Sequence, residues 1–173
     1  MPPESFIFNE YGLYYGQVVD NNQYIHSKFM AERLVYEEII EHSLRAKVFR
    51  VGNLAPRLED GVFQINYATN TYMNTFRAYQ TMGIIPYDAM SEIVEFSPID
   101  CLAKAVIALA GTPDECVCFI PINTHRPLMS DVIRAFEEEG YSIRGVESDE
   151  FEAVFKDALS DEKTRDAVSA LDA

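Results

Sequence analysis

The most informative residues of the chain are a tyrosine and a lysine four positions apart, Tyr24 and Lys28. Side chains at this spacing are neighbours on a helix, so a phenol would lie beside an ammonium group. The positive charge favours phenolate over phenol and lowers a tyrosine's pKa from its usual value of about 10. Such a phenol is suited to general acid catalysis, in which it protonates an alkoxide that develops during hydride transfer.

The same spacing also fits a simpler interpretation, in which neither residue has a chemical role. The lysine is then solvated and the tyrosine half buried on an ordinary amphipathic helix. Short motifs of this kind occur by chance in many sequences. The surrounding segments must therefore decide between the two interpretations.

The tyrosine and the lysine lie in a segment with helical periodicity, from about Gln23 to His42. A short β-rich segment over 47–51 follows and ends at Gly52 and Asn53. A helix that leads into a buried strand, with turn residues at the strand's carboxyl end, is typical of parallel α/β sheets, where ligands lie outside the strand ends. We therefore predict an α/β fold, as one domain over residues 1–173 without an internal boundary.

The rest of the chain alternates between short strands and helices. Ser97 is expected to cap a largely buried helix over 101–110. A second helix carries Tyr72 and Phe76 and ends at Gly83; its aromatic side chains either pack in the core or line a substrate channel. The other predicted strands are 93–96, 117–122 and 141–146, and further helices begin near 129 and 151.

Composition and charge exclude several classes of function. The chain has 173 residues and a formal net charge of -14, which disfavours binding to nucleic acid. It has no apolar run long enough for a membrane span and no recognisable signal peptide, so we expect a cytoplasmic location. Three cysteines without metal-ligand spacing are expected to be buried reduced thiols, and no metal site is expected.

Several nucleotide-binding and hydrolytic motifs are absent from the sequence. It contains no Gly-x-Gly-x-x-Gly turn, Walker loop, Gly-x-Ser-x-Gly elbow or His-Glu-x-x-His pair. Phosphoryl transfer, serine hydrolysis and zinc proteolysis therefore lose their usual supports.

Four ordered segments, 24–35, 49–54, 60–64 and 94–100, resemble the carboxyl-terminal half of thioester reductase domains. These are extended short-chain dehydrogenases found in nonribosomal peptide synthetases and related to carboxylic acid reductases. The resemblance implies a partial Rossmann-like, doubly wound fold consisting of the carboxyl-terminal half and a substrate-binding lobe. It also implies NADPH-dependent reduction of a phosphopantetheine-bound acyl or peptidyl thioester to an aldehyde or alcohol.

The resemblance also implies roles for individual residues. Tyr24 would donate the proton, and Lys28 would bind the nicotinamide ribose and hold the tyrosine's pKa down. Val51, Gly52 and Asn53 would lie near the nicotinamide. The substrate-binding residues are expected to be Phe63, Tyr72 and Phe76.

The family's glycine-rich cofactor loop and its carbonyl-polarising Ser or Thr come before the segment that these 173 residues match. We therefore expect the amino-terminal cofactor-binding part to be absent, the chain to be inactive alone, and NADPH not to bind it alone. A sheet that lacks neighbouring strands exposes an edge, which predicts a homodimer. The expected macromolecular partner is a phosphopantetheinyl carrier protein.

Two other functions remain open. Nucleotide-sugar epimerases and dehydratases also use a Tyr-x-x-x-Lys helix, although a sugar diphosphate calls for more arginine than the sequence supplies. Alternatively, the chain is a non-catalytic module that docks a carrier protein. For that role the candidate basic patch is Arg126 with Arg134 or Arg144.

Overall fold

The computed structural model describes residues 9–14 and 22–171. Their contacts separate into two compact units, whereas the sequence predicts one domain without an internal boundary. The first unit takes the chain up to Gly52 and then Asp100–Ile122, and the second takes Asn53–Ile99 and the chain from Asn123 onward.

Both units contain helices and short parallel strands, and the predicted α/β class is confirmed. The helices are α1 (Gln23–His42), α2 (Thr71–Met82), α3 (Ile99–Ala110), α4 (Met129–Glu138), α5 (Ser148–Ser160) and α6 (Arg165–Val168). The strands are β1 (Val48–Phe49), β2 (Leu54–Ala55), β3 (Ile84–Pro86), β4 (Ser97–Pro98), β5 (Cys118–Phe119) and β6 (Arg144–Val146).

Helix α1 has the bounds that its sequence predicts. At its start the Asn22 side chain accepts hydrogen bonds from the backbone N–H groups of Tyr24 and Ile25, at 3.0 and 3.1 Å. This cap satisfies two of the donors that a helix leaves without a partner in its first turn. The helix ends at Ser43, whose φ of 57° lies in the left-handed region. The first turn, which contains Tyr24, is therefore fixed by local interactions.

Strands β1 and β5 form a parallel pair in the first unit, with Val48 opposite Cys118 and Phe49 opposite Phe119. The two phenylalanine rings stack with their centroids 5.5 Å apart. The Val48 N–H donates to the Val117 carbonyl at 2.8 Å. The opposite edge of β1 pairs with no strand among residues 9–14 and 22–171. The pair therefore leaves one ladder of backbone groups available for a further strand.

The Arg50 side chain links three parts of the first unit. Its guanidinium donates to Oε1 of Glu32 on α1, at 2.9 Å from Nε and 2.7 Å from Nη2. It also donates to the carbonyls of Asn9 and Gly12, at 2.8 and 2.7 Å. The two charged side chains are only 12% and 19% exposed. Because of this shielding, the attraction between the two charges is screened less by water than in an ion pair at the surface.

The first unit has little buried apolar surface. Leu102 is its one buried apolar side chain among the described residues. The expectation that α3 is largely buried is wrong, since Ile107 is 75% exposed. Its physical reason is that a sheet of two short strands is too narrow to cover a helix that is apolar on all sides.

The cysteines are free, but they are not the buried thiols that the sequence predicts. Cys101 and Cys116 are exposed, and Cys118 is half-buried. The apolar neighbours of these residues in the sequence suggested burial. They lie instead on the thinly covered elements of the first unit, namely α3 and the β5 region.

The second unit contains the apolar core of the chain. Strands β3 and β6 pair in parallel, as do β2 and β4. The fully buried Ile85 and Val146 lie on the first of these pairs. Helix α2 ends at Gly83, whose φ of 68° suits a residue without a side chain. The buried cluster consists of Phe76, Tyr79, Ile85, Ala89, Val94, Met129, Ile133 and Ile143.

The predicted cap of α3 is wrong. Ser97 lies in strand β4, pairing with Leu54, and the helix begins at Ile99. The strand expected over 93–96 is displaced, and Ile93 forms only an isolated antiparallel bridge with Leu128. The physical reason is that the backbone and hydroxyl of Ser97 make non-local bonds, which compete with local capping.

The described residues contain neither a helix that could span a membrane nor a cluster of metal ligands. No helix among them combines the length and apolarity needed to cross a membrane. Their His, Cys, Asp and Glu side chains form no cluster with the arrangement of a metal site.

We predict that Glu32→Gln lowers the free energy of unfolding by about 1.5 to 3 kcal/mol, the range for a hydrogen bond to a charged group. The change leaves the shielded Arg50 guanidinium without its counter-charge. Urea unfolding followed by circular dichroism measures the effect. The matched control is Glu37→Gln, which breaks an exposed 3.2 Å pair with Arg33 on the same helix and should cost less than about 0.5 kcal/mol. Equal losses in the two variants would contradict the prediction.

We also predict that the second unit loses stability at alkaline pH. Burial, with a smaller contribution from the Glu95 charge, raises the pKa of Tyr72 to about 12. Burial also raises the pKa of Tyr79. The folded state thus keeps protons that the unfolded state releases above about pH 10. The stabilisation is complete below that pH and is lost as the pH rises toward 12.

Urea unfolding at pH 9, 10.5 and 11.5 tests this dependence. Tyr72→Phe should flatten the decline by roughly 1 kcal/mol, since a half-buried ring keeps only part of the full linkage energy. Tyr67→Phe is the control because that side chain is 61% exposed. A decline that Tyr72→Phe leaves unchanged would show that another group causes it.

Candidate functional site

The structure brings Tyr24 and Lys28 together at the start of α1. The Lys28 ammonium lies 5.4 Å from the centroid of the Tyr24 ring. This distance is within the range of a cation–π contact. The Tyr24 side chain is 69% exposed, so its hydroxyl is accessible to a ligand. The contact provides a phenol and an ammonium side by side, while their chemical roles stay predictions.

The first turn of α1 is further fixed on its polar side. The Ser27 hydroxyl donates to the Tyr24 carbonyl at 2.8 Å. Together with the Asn22 cap, this bond holds the backbone that carries Tyr24. The orientation of the tyrosine therefore depends on the local backbone more than on packing of its ring.

Val51 and Gly52 follow Arg50 directly at the carboxyl end of β1. The Arg50 N–H donates to the Phe119 carbonyl at 2.9 Å, which extends the strand pairing by one residue. Val51 is 46% exposed, and Gly52 is half-buried. Both thus lie where the strand ends, and a cofactor contact by either residue stays a prediction.

Asn53 belongs to the second unit, where its backbone is bound by Glu95. The Asn53 N–H donates to Oε2 of Glu95, and the Ser97 hydroxyl donates to Oε1 of the same carboxylate. The Asn53 carbonyl accepts from the Ser97 N–H at 2.8 Å. One carboxylate therefore spans the paired ends of β2 and β4.

Two of the expected substrate-binding residues lie on α2 beside this carboxylate. The Tyr72 hydroxyl donates to the Glu95 carbonyl at 2.7 Å. The rings of Tyr72 and Phe76 lie 5.3 Å apart in an edge-to-face arrangement, and both lie near the Phe96 ring. Phe76 is only 4% exposed, so it packs in the core. A substrate contact by either residue stays a prediction.

The third expected substrate residue, Phe63, is half-buried and follows a tight loop. The loop is closed by an ion pair between Arg57 and Asp60 and by a 3.0 Å bond from the Arg57 N–H to the Val62 carbonyl. Gly61 has a φ of 72°, which favours glycine at this turn. The loop therefore gives Phe63 a fixed backbone position.

Sequence reasoning missed Glu95. The only signal was an acidic residue between Val94 and Phe96 in an otherwise apolar segment. The residues that it binds are 42 and 2 positions away. Local periodicity carries no information about a partner 42 positions away. The contact between Glu95 and Asn53 is therefore visible only in the folded structure.

A cleft of about 540 Å³ lies elsewhere in the first unit, beside Tyr36 and Cys118. Burial, and then a hydrogen bond with Cys118, raise the pKa of Tyr36 above its usual value. This phenol is therefore a poorer proton donor than an ordinary tyrosine at neutral pH. The cleft does not supply a second candidate for the role predicted for Tyr24.

The expected site residues divide between the two units. Tyr24, Lys28, Val51 and Gly52 lie in the first unit, and Asn53, Phe63, Tyr72 and Phe76 lie in the second. Within the first unit the structure joins the tyrosine to the lysine. Within the second it gathers Asn53 and Tyr72 at Glu95.

Comparison with known proteins identifies the family. The model of an NAD-binding family described as male sterility protein matches residues 15–106. A comparison with curated protein sequences gives no match. The family match covers more than half of the chain and includes Tyr24 and Lys28.

Solved structures support the same assignment. A thiolation-reductase di-domain from an archaeal nonribosomal peptide synthetase is 34% identical, with a TM-score of 0.86, over 98% of this chain and 35% of that one. The terminal R domain of the myxalamid PKS-NRPS pathway is 21% identical, with a TM-score of 0.73, over 86% of this chain and 37% of that one.

A third structure, the reductase domain of the Aureusimine biosynthetic cluster, is 22% identical, with a TM-score of 0.74, over 93% of this chain and 41% of that one. The two structures with lower identity show the fold alone. In each comparison the chain spans less than half the length of the solved protein. The chain therefore belongs to the NAD-binding male sterility protein family, and its recognition as part of a thioester reductase domain is confirmed.

Proposed function

We propose that this chain carries one side of the active site of an NADPH-dependent thioester reductase. The observation that supports this most strongly is the Tyr24–Lys28 contact, with the ammonium 5.4 Å from the ring centroid and the phenol exposed. The pair lies within the residues that the family model matches. Its two side chains are the chemical groups that a reductase needs to protonate a substrate oxygen.

In this function Tyr24 holds the transferable proton on its hydroxyl. The Lys28 ammonium favours negative charge on the phenol as that proton leaves. The Asn22 cap and the Ser27 bond hold the backbone of the first turn of α1, which carries Tyr24. General acid catalysis of this kind contributes typically about 100-fold to 10,000-fold to a rate.

The described residues offer partners for a nicotinamide cofactor. The Lys28 ammonium and the Tyr24 hydroxyl are exposed polar groups that fit the hydroxyls of a ribose. Val51 and Gly52 follow the end of β1, and glycine has no side chain to keep a flat ring from its backbone. Asn53 is the third proposed cofactor contact and, because its backbone groups are bound within the second unit, it would offer its side chain. NADPH, when bound, supplies a hydride. We expect NADPH to require the glycine-rich loop that this sequence lacks, and therefore not to bind the chain alone.

The proposed substrate is an acyl or peptidyl thioester on a phosphopantetheinyl carrier protein, released as an aldehyde or alcohol. The archaeal relative combines a thiolation domain with a reductase, which supports a carrier-bound substrate. The second unit contributes Phe63, Tyr72 and, deeper in the core, Phe76. Apolar and aromatic side chains of this kind suit an acyl chain better than a charged sugar diphosphate.

The alternative role as a docking module lacks an available basic patch. Arg134 pairs with Asp131 at 3.0 Å, and Arg144 pairs with Glu150. The charges of Arg134 and Arg144, the two arginines expected to join Arg126 in the patch, are therefore compensated by neighbouring carboxylates. On a chain with a net charge of -14, such a patch would attract an acidic carrier protein weakly.

A chimeric reductase tests the proposed function. In it, this chain replaces the segment of the archaeal di-domain that it matches over 98% of its own length. We expect the chimera to oxidise NADPH in the presence of an acyl thioester and the isolated chain to show no turnover. Turnover of a nucleotide sugar instead of a thioester would support the epimerase or dehydratase alternative.

In the chimera, we predict that Lys28→Met lowers kcat by about 100-fold, because the phenol loses the charge that favours proton release. Steady-state NADPH oxidation measures the effect. Lys104→Met is the matched control, since this lysine is exposed on α3 and lies outside the proposed site. A similar loss in both variants, or none in Lys28→Met, would contradict the proposed role.

We further predict that the isolated chain forms a homodimer through the edge of β1 that pairs with no described strand. The Val48 and Arg50 N–H groups face β5, so alternation directs the Val51 N–H toward the opposite edge. Val51→Pro removes that donor and should lower the dimer fraction measured by sedimentation velocity. Val51→Ala keeps the donor and is the control. A monodisperse monomer at high concentration would contradict the prediction.

A further inference from the structure

The Glu95 carboxylate joins two separate segments of the second unit. Its two oxygens accept separate hydrogen bonds, Oε2 from the Asn53 N–H and Oε1 from the Ser97 hydroxyl. Its backbone carbonyl accepts from the Tyr72 hydroxyl at 2.7 Å. One residue therefore contacts a backbone expected to bind the cofactor and a side chain expected to bind the substrate.

We propose that Glu95 is a positioning residue, whose carboxylate fixes the Asn53 backbone relative to Tyr72. The importance of Glu95 for reduction rests on the proposed function. Its hydrogen bonds to Asn53 and Ser97 do not depend on that function. The carboxylate bridges the ends of β2 and β4, which form a ladder of only two residues on each side. So short a ladder has few bonds of its own. The Glu95 carboxylate adds one bond across it, from the Asn53 N–H, and its bond from the Ser97 hydroxyl anchors the carboxylate to β4.

The hydrogen bonds of Ser97 explain why the bridge is rigid. Ser97 is 2% exposed, and its hydroxyl proton is used in the bond to Glu95. The same oxygen accepts from the Asn123 N–H at 3.0 Å, while the Asn123 side chain donates to the Phe96 carbonyl at 2.8 Å. Each member of this network fixes the next. The network is anchored at the buried Ser97, and hydrogen bonds that share partners in this way reinforce one geometry.

The geometry argues against a direct acid or base role for Glu95. Both carboxylate oxygens already accept hydrogen bonds from donors of the protein, which orient the group toward the Asn53 backbone and the Ser97 hydroxyl. A residue that exchanges protons with a substrate needs an oxygen directed toward it. Glu95 thus acts through Asn53 and Tyr72.

Two substitutions of Glu95 distinguish the role of its hydrogen bonds from the role of its negative charge. In Glu95→Gln, the amide oxygen accepts from the Asn53 N–H, and the amide nitrogen donates to the Ser97 oxygen, which has a second lone pair. In Glu95→Ala, both bonds are lost and the Asn53 N–H has no partner. We therefore expect the glutamine variant to rescue the bridge and the alanine variant to abolish it.

Amide hydrogen exchange in the isolated full chain, followed by NMR, tests the bridge without any ligand. Glu95→Ala should speed exchange at Asn53 at least about tenfold, since a bond to a charged acceptor contributes more than one factor of ten. Glu95→Gln should stay within about threefold of wild type. Ile85 exchange in both variants, and Asn53 exchange in the exposed control Glu138→Ala, should remain unchanged. Unchanged Asn53 exchange in Glu95→Ala would overturn the proposal.

The chimera tests the consequence for reduction. Glu95→Ala should lower kcat/KM at least about tenfold, and Glu95→Gln should restore most of it. Equal losses in the two variants, with Asn53 protected only in Glu95→Gln, would show that positioning is not the role of this carboxylate. An inactive parent chimera would count against the proposed function alone, since the exchange measurement would still decide whether Glu95 holds Asn53.

Discussion

The ion pair between Arg50 and Glu32 is the interaction on which the first unit depends. This unit has one buried apolar side chain among its described residues, so packing contributes little to its cohesion. A guanidinium that binds a helix carboxylate and two loop carbonyls provides a cross-link instead. Glu32 lies one turn beyond Lys28 on α1. The same contact therefore links the helix that carries Tyr24 and Lys28 to the end of β1.

The second unit is held together differently. Its apolar cluster around Ile85 and Ile133 gives it a core, and the polar network at Glu95 lies at one margin of the cluster through Tyr72 and Phe96. Hydrophobic burial supplies the bulk of such stabilisation, whereas the hydrogen bonds determine which backbone geometry is adopted. In the second unit, the apolar core supports the position of the Glu95 carboxylate. In the first unit, the Glu32 carboxylate is held by its ion pair with Arg50.

The sequence predicted the features that depend on local physics. Helical periodicity gave the bounds of α1, and the left-handed Gly83 marked the end of α2. Features that depend on distant partners were wrong or missed. Ser97 matched a helix cap locally, but it pairs with Leu54 in a strand and its hydroxyl oxygen accepts from the distant Asn123 N–H. The burial of α3 failed for a similar reason, since an apolar sequence does not reveal how much sheet is present to cover it.

The central claim is that Tyr24 supplies the proton to a substrate oxygen. Product analysis of the chimeric reductase with a carrier-bound acyl thioester, comparing the parent with Tyr24→Phe, tests it most directly. Phenylalanine keeps the ring beside Lys28 and removes only the hydroxyl. We expect the parent chimera to form aldehyde. In Tyr24→Phe, the rate of aldehyde formation should fall at least about 100-fold. Aldehyde formed at the parent rate by Tyr24→Phe would contradict it.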